Sequence, residues 1–139
     1  AVLALGQIDL WRVAIQPGKP LAFGLLGQTP WVGLPGNPAA GLITALIILR
    51  PALLTAQGMT ATEPLAVQLK AAFDWPKAKG RQQYLQARRV KEGAETWVEV
   101  HPKQGSAMLS NACWAEGLAV VAPGQSVARG QLVTFIPYQ

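Results

Sequence analysis

From Ala39 to Leu49 the chain carries no charge, and only Gly41 and Thr44 interrupt its apolar side chains; this stretch constrains the fold more than any other. It is too long for an ordinary strand, and Asn37-Pro38 marks its start as a helix N-terminus. Asparagine caps well because its side-chain oxygen accepts from the first free amides. Proline at the first helical position forfeits an amide that has no partner there anyway. The pattern predicts a helix through Leu42, Leu46 and Leu49 to Arg50, with Pro51 kinking or restarting it and Gly58 stopping it. Ile43, Ile47 and Ile48 make the opposite face apolar too, so the helix needs cover on most sides. The run falls short of the roughly 20 residues of a membrane span, and no charged leader with a cleavage site precedes it. The expectation is a soluble, cytoplasmic protein with no membrane partner.

The sequence on the two sides of this helix differs in texture. Before it, Trp11 to Ile15, Leu21 to Leu26 and Pro30 to Leu34 read as short strands, separated by turn chemistry at Pro17-Gly18 and Gly27-Gln28-Thr29. Ala1 to Leu5 reads as the last turn of a helix. Three strands and one helix make a thin α/β layer with an open edge, so residues 1–58 are expected to be the C-terminal part of a larger α/β unit. After a connector at Met59 to Glu63, alternation takes over. Leu65, Val67 and Leu69 are expected to face one way, and Gln68 and Lys70 the other. Gln83 to Lys91 and Glu95 to Val100 flank Glu92-Gly93-Ala94 as a hairpin. Leu118 to Ala122 and Leu132 to Ile136 are further strands, and Ser106 to Glu116 holds a short helix. Residues 59–139 are therefore expected to form a small all-β, barrel-like domain.

The net charge of +5 is concentrated. Between positions 70 and 91 lie seven bases (Lys70, Lys77, Lys79, Arg81, Arg88, Arg89, Lys91) against the single Asp74. Such local basicity suits a small anionic ligand or an acidic surface; its bland counterpart is a solvated basic loop and hairpin. Nucleic acid is the third-ranked reading, because the five Trp are scattered rather than interleaved with the bases as a stacking platform would require. One cysteine and one histidine exclude a disulfide framework and a multi-Cys zinc site. His101, at a strand end before Pro102, has no cluster to join, which sets hydrolase triads aside. Cys113 beside Trp114 is expected to be a buried small hydrophobe.

Three segments could carry chemistry. Gln16-Pro17-Gly18-Lys19-Pro20 is a turn with a proline on either side of Gly18-Lys19; it restricts the backbone under Lys19, though such a turn also suits a plain surface hairpin. Leu34-Pro35-Gly36-Asn37-Pro38 leads a strand into a helix N-terminus, where free amides and the dipole favour an anion; many α/β crossovers begin the same way. In Gln104-Gly105-Ser106, Ser106 is either a ligand-facing hydroxyl or an N-cap.

Trp11 to Gly24, then Gly33-Leu34-Pro35-Gly36-Asn37-Pro38, then Arg50-Pro51-Ala52-Leu53, in this order and spacing, resemble the molybdopterin molybdotransferases, the MoeA and gephyrin E-domain family. Gly80-Arg81 with Tyr84, and Gln104-Gly105-Ser106 followed by Leu118 to Pro123, resemble its C-terminal domain. The resemblance implies the C-terminal half of a MogA-like molybdopterin-binding α/β domain followed by a small β domain. It implies an enzyme that inserts molybdate into adenylylated molybdopterin with release of AMP, uses Mg²⁺, and works as a homodimer when complete. By motif position, Lys19 and Ser106 are the expected catalytic residues. Gln16, Pro20, Pro35, Gly36, Asn37, Pro38, Arg81 and Arg88 are expected to bind the anionic substrate. No metal ligand is expected in this chain; the Mg²⁺ carboxylates should lie outside it, so the chain alone should be inactive. The family pattern has Lys at the position of Gln16, a small hydroxyl at that of Ala40 and Arg at that of Gln86, with Arg88 on the same strand face as the last. These departures carry the alternative, a divergent, non-catalytic relative serving as a dimerisation or scaffold module.

Overall fold

The computed structural model describes residues 6–11, 13–76, 80–105 and 110–138. The expected helical turn at Ala1 to Leu5, together with Lys77, Lys79 and Ser106, lies outside the described residues. The first part of the chain forms β1 (Gln7–Trp11), β2 (Ile15–Gln16), β3 (Ala22–Leu26), β4 (Thr29–Gly33) and the helix α1 (Pro38–Ala56). β1, β3 and β4 make an antiparallel sheet in the order β1-β3-β4. The first strand thus lies earlier than expected, at Gln7–Trp11, and Ile15–Gln16 leaves for a different sheet.

α1 begins as expected. Asn37 Oδ1 accepts from the amides of Ala39 and Ala40, and Pro38 sits at the first helical position. Pro51 sits, as expected, where the helix restarts, at the second residue of the α-helical segment Arg50–Ala56. Ala45–Leu49 widens into a π-turn, in which the Arg50 amide reaches the Ala45 carbonyl. That offset accommodates a proline that would otherwise break the ladder, and Arg50–Ala56 continues as α-helix. Gly58, at φ +86°, closes it, with the Met59 amide bonded to the Leu54 carbonyl at 3.0 Å. The uninterrupted span Pro38–Ala56 is therefore longer than the apolar run suggests and could by length and composition cross a membrane. Here Ile43 and Ile47 pack on Tyr84 and Leu118 of the second part, while Leu53 on another face is exposed.

The second part is a small all-β barrel. β6 (Gln82–Glu92), β7 (Glu95–Val100), β5 (Val67–Ala71), β9 (Leu132–Pro137) and β8 (Gly117–Val121) follow one another, and β8 returns to β6. The long β6 makes this closure possible: its first half pairs with β8 and its second with β7. Gly93, at φ +59°, supplies the hairpin turn between Glu92 and Glu95. Phe135 and Val98 fill the interior, and Ala71, Ala87 and Ala119 leave room for them. Of the residues expected to alternate here, Leu69 packs against this core, but Val67 in β5 and Leu65 before it are exposed. The short helix α2 (Ser110–Trp114) turns Asn111 inward and leaves Cys113 exposed, so the cysteine is not the buried hydrophobe its neighbours suggest.

Two features join the parts. β2 adds to β6 in parallel, with Ile15 opposite Gln82 and Gln16 opposite Gln83. Ile43, Tyr84 and Leu118 form one buried cluster, against which Ile15, Ile136 and Tyr138 pack. Within it the Tyr138 hydroxyl is buried without a partner among the described residues, and burial pushes its phenol up to about 12. An unfolded tyrosine ionises near pH 10. The neutral phenol therefore contributes stability below that pH which is lost as the pH rises through about 12. Tyr138→Phe should flatten this alkaline loss and leave neutral stability unchanged or higher by about 1 kcal/mol, since it removes an unpaired polar group. Urea unfolding at neutral pH and in the alkaline range checks this; a clear loss at neutral pH would show that the hydroxyl does make a stabilising bond.

The basic segment does not remain a patch of unpaired cations. Lys70 bonds Glu95 at 2.7 Å, Arg88 bonds Glu99, and Arg89 bonds Glu116 at 2.8 Å. Lys70 and Arg89 hold the carboxyls of Glu95 and Glu116 below their ordinary range. Each pair is partly exposed and screened by solvent, so it adds little to stability. Their effect is on local charge: they neutralise the barrel face.

Candidate functional site

A cavity of about 530 Å³ opens where the loop after β2, the start of α1 and the barrel meet. The loop forms the first wall. Gly18 has φ +121°, and a Cβ there would meet Thr44 Cγ2 at 2.4 Å and Ile15 Cδ1 at 3.1 Å, so the loop is seated directly on α1. Thr44 is fully buried and donates its hydroxyl to the Ala40 and Gly41 carbonyls at 2.9 and 3.0 Å, which fixes the surface the glycine rests on. The Gln16–Pro17 peptide is cis, and the Lys19 carbonyl accepts from the Val13 amide at 3.1 Å. The Lys19 residue is exposed and contributes to the cavity lining.

Pro35, Gly36, Asn37 and Ala40 form the second wall. The sequence leads one to expect free amides here, but the structure uses them. Asn37 Oδ1 takes the amides of Ala39 and Ala40 at 3.1 and 3.2 Å, and the Gly41 amide bonds the Asn37 carbonyl at 2.8 Å. What this end of α1 offers an anion is the dipole of a 19-residue helix and the Asn37 carboxamide, not a row of unpaired N–H groups. The barrel forms the third wall through Arg81, Gln104 and Gly105. Gly80, at φ +60°, turns the chain into β6 just before Arg81.

Of the residues singled out from sequence, Gln16, Lys19, Pro20, Pro35, Gly36, Asn37 and Arg81 line this one cavity. Pro38 stands behind Asn37 as the first residue of α1 and is not in the lining. Ser106 lies outside the described residues; the preceding Gly105 is in the wall. Arg88 is not brought to the cavity. Its Nε bonds Glu99, directly opposite across the β6–β7 ladder, and its guanidinium lies 4.5 Å from the centre of the Trp114 ring. Gln86 is buried, lining a small space with Pro17, Tyr84 and Gln104. In the sequence Gln104 stands out only as part of a motif; the signal for its role is the turn that follows Pro102 directly after a strand.

The electrostatics are one-sided. Among the described residues no Asp or Glu lines the cavity. Nor, among them, does any carboxylate pair with Lys19 or Arg81, whereas Lys70, Arg88, Arg89 and Arg129 all have one. An ammonium, a guanidinium and a helix N-terminus facing a common space can hold a compact oxyanion through charge-assisted hydrogen bonds. Among the described residues no three His, Cys, Asp or Glu side chains converge as a cation site requires.

The chain is similar to known proteins over nearly its whole length. The family model of the MoeA C-terminal region (domain IV) matches residues 68–138. A molybdopterin molybdenumtransferase of Haemophilus influenzae is 31% identical over 137 residues, covering 96% of this chain and 34% of that protein. One from Synechococcus elongatus is 32% identical over 121 residues, 86% of this chain and 28% of that protein. A solved molybdopterin biosynthesis MoeA protein of Pyrococcus horikoshii superposes with a TM-score of 0.80 at 25% identity, covering 99% of this chain and 33% of that one. The chain spans about a third of the length of these relatives.

Proposed function

Because the chain belongs to the MoeA family, whose C-terminal region it carries, we propose that it is the C-terminal part of a molybdopterin molybdenumtransferase and that its cavity holds the anionic substrate. The observation that carries this reading is the cavity of about 530 Å³ with two cations and, among the described residues, no carboxylate in its lining. In this reading the full-length enzyme inserts molybdate into adenylylated molybdopterin and releases AMP. Residues 59–139 are its β-barrel domain, preceded in this chain by the three-stranded antiparallel sheet and α1 rather than by the MogA-like α/β half expected from the sequence.

Within the site, the Lys19 ammonium and the Arg81 guanidinium hold molybdate or a substrate phosphate, and the start of α1 adds its positive dipole end. Such groups stabilise charge without reorganising, provided the protein fixes their positions beforehand. The Gly18 contact with Thr44 does this for Lys19. The side chains present do not suit Mg²⁺, because the described acids are dispersed or engaged with Arg and Lys. Any Mg²⁺ is supplied with carboxylates from elsewhere in the full-length protein, and the 139-residue chain by itself does not incorporate molybdate. A cytoplasmic homodimer is the working form.

A second reading has its own support. Gln16 and Ala40 put neutral groups in the wall, at positions where the resemblance leads one to expect polar or charged side chains, and Arg88 is held by Glu99 away from the cavity. A relative with so few donors would serve as a dimerisation or scaffold module. Complementation of a molybdotransferase-deficient strain separates the two. The full-length gene is expected to restore molybdoenzyme activity, and Lys19→Ala to lower the rescue at equal protein level. Soluble expression without any rescue would rule out the enzymatic reading.

A further inference from the structure

We propose that Gln104 is a positioning residue of the anion cavity: its carboxamide is wedged into the β6–β7 ladder and thereby fixes the Gly105 wall. The inference rests on reading the cavity as an anion site. The ladder between β6 and β7 is regular from Glu92–Glu95 to Ala87–Val100. One step further, the His101 amide still bonds the Gln86 carbonyl at 2.9 Å. In an antiparallel ladder a bonded pair exchanges both N–H···O contacts, so the Gln86 amide should meet the His101 carbonyl. The Gln104 carboxamide stands between them. Its Oε1 accepts from the Gln86 amide at 2.9 Å, and its Nε2 donates to the His101 carbonyl at 2.9 Å and to the Gln86 carbonyl at 2.9 Å.

The chain leaves β7 at Pro102 and returns as a side chain to complete the pairing it abandoned. Two further contacts stiffen the intervening loop: the Lys103 amide donates to His101 Nδ1 at 3.1 Å, and buried Asn111 donates its carboxamide to the Lys103 carbonyl. Of these side chains, Gln104 is the one that also lines the cavity, directly before Gly105. A carboxamide suits this position because the Gln86 amide needs an acceptor and the His101 carbonyl a donor, and one side chain supplies both. Without it the ladder either closes directly, drawing His101 and the loop away from the cavity, or leaves partly buried backbone groups unpaired.

Gln104→Leu and the near-isosteric Gln104→Glu in the full-length protein test this. Gln104→Glu keeps an acceptor for the Gln86 amide but turns an oxygen toward two carbonyls. Each variant is titrated with molybdate and with inorganic phosphate, amide exchange is followed over residues 101–105, and Lys19→Ala serves as the control for the site. Both variants should speed exchange in that segment. Gln104→Leu should weaken anion binding on the order of ten-fold, as a displacement of about 1 Å in a positioned group can, and Gln104→Glu should weaken it further. Unchanged anion affinity in the folded variants, with Lys19→Ala weakening it, would reduce Gln104 to a purely structural role. Unchanged exchange would overturn the wedge itself. If the wild-type protein bound neither anion, the site reading would fail and the positioning role with it. Should Gln104→Leu not fold, Gln104→Glu decides.

Discussion

Phe135→Ala should destabilise the barrel by about 3–5 kcal/mol, a large fraction of what a domain of this size has to lose. Phe135 is fully buried in β9, whose residues pair with both β5 and β8. Three of the other fully buried side chains in that core are Ala71, Ala87 and Ala119, which are too short to collapse into the space the ring would vacate. Gly117 shows how closely the ring is held: a Cβ there would lie 2.6 Å from Phe135 Cζ and 2.3 Å from the Ile136 carbonyl oxygen. The cavity term should therefore be near its full value. Urea unfolding should show a lower midpoint with an unchanged slope, the mark of lost stability rather than of a changed denatured state. Because Arg81 and Gln104 are carried by the barrel, anion binding should fail at the same denaturant concentration. A loss below about 1 kcal/mol would mean that the interior is not packed around this ring.

Gly18→Ala should remove the first wall of the cavity. At φ +121° an L-residue is strained whatever its surroundings, at a cost of about 1–3 kcal/mol. The added Cβ would also lie 2.4 Å from Thr44 Cγ2. Thr44 cannot swing aside without releasing the bonds its hydroxyl makes to the Ala40 and Gly41 carbonyls. The loop must lift from α1 or α1 must shift, and either displaces Lys19. We expect a total cost of about 2–5 kcal/mol and a loss of anion binding out of proportion to the fall in melting temperature. Gly27→Ala is the control outside the cavity: it shares a positive φ, but its Cβ would meet nothing within 4 Å. Equal melting and binding in Gly18→Ala and Gly27→Ala would contradict this seating of the loop.

Features fixed by neighbours along the chain are legible in the amino-acid sequence. The Asn37-Pro38 cap, the Gly58 stop and the Gly93 hairpin rest on residues within a few positions of one another, and each forms where expected. Local alternation is legible in β9, where Val133 and Phe135 are buried, but not in β6 or β8, which are buried at consecutive positions. What the sequence hides depends on distant partners. β2 is two residues long, too short for any period, and its partner strand lies more than sixty positions away. The helix passes Pro51 because a π-turn, a device with no composition of its own, absorbs the lost hydrogen bond. Periodicity places Arg88 on the same strand face as Gln86, but the cross-strand register sets Glu99 opposite it, and that pairing decides where its charge goes. The seven cavity residues are legible only as three separate motifs. Their convergence follows from the shared packing of Ile43, Tyr84 and Leu118.

The most direct test is a double-mutant cycle in the full-length protein, with Lys19→Ala and Arg81→Ala titrated with molybdate and followed by melting. Both residues line the cavity, one on the loop after β2 and one just before β6. If they hold one anion, each single change should weaken binding by about 1.5–3 kcal/mol without unfolding the protein. The effects should also be coupled by at least about 0.5 kcal/mol, because residues that share a ligand do not act independently. Unchanged affinity in both single variants, or strictly additive losses, would show that the cavity is not a single anion site.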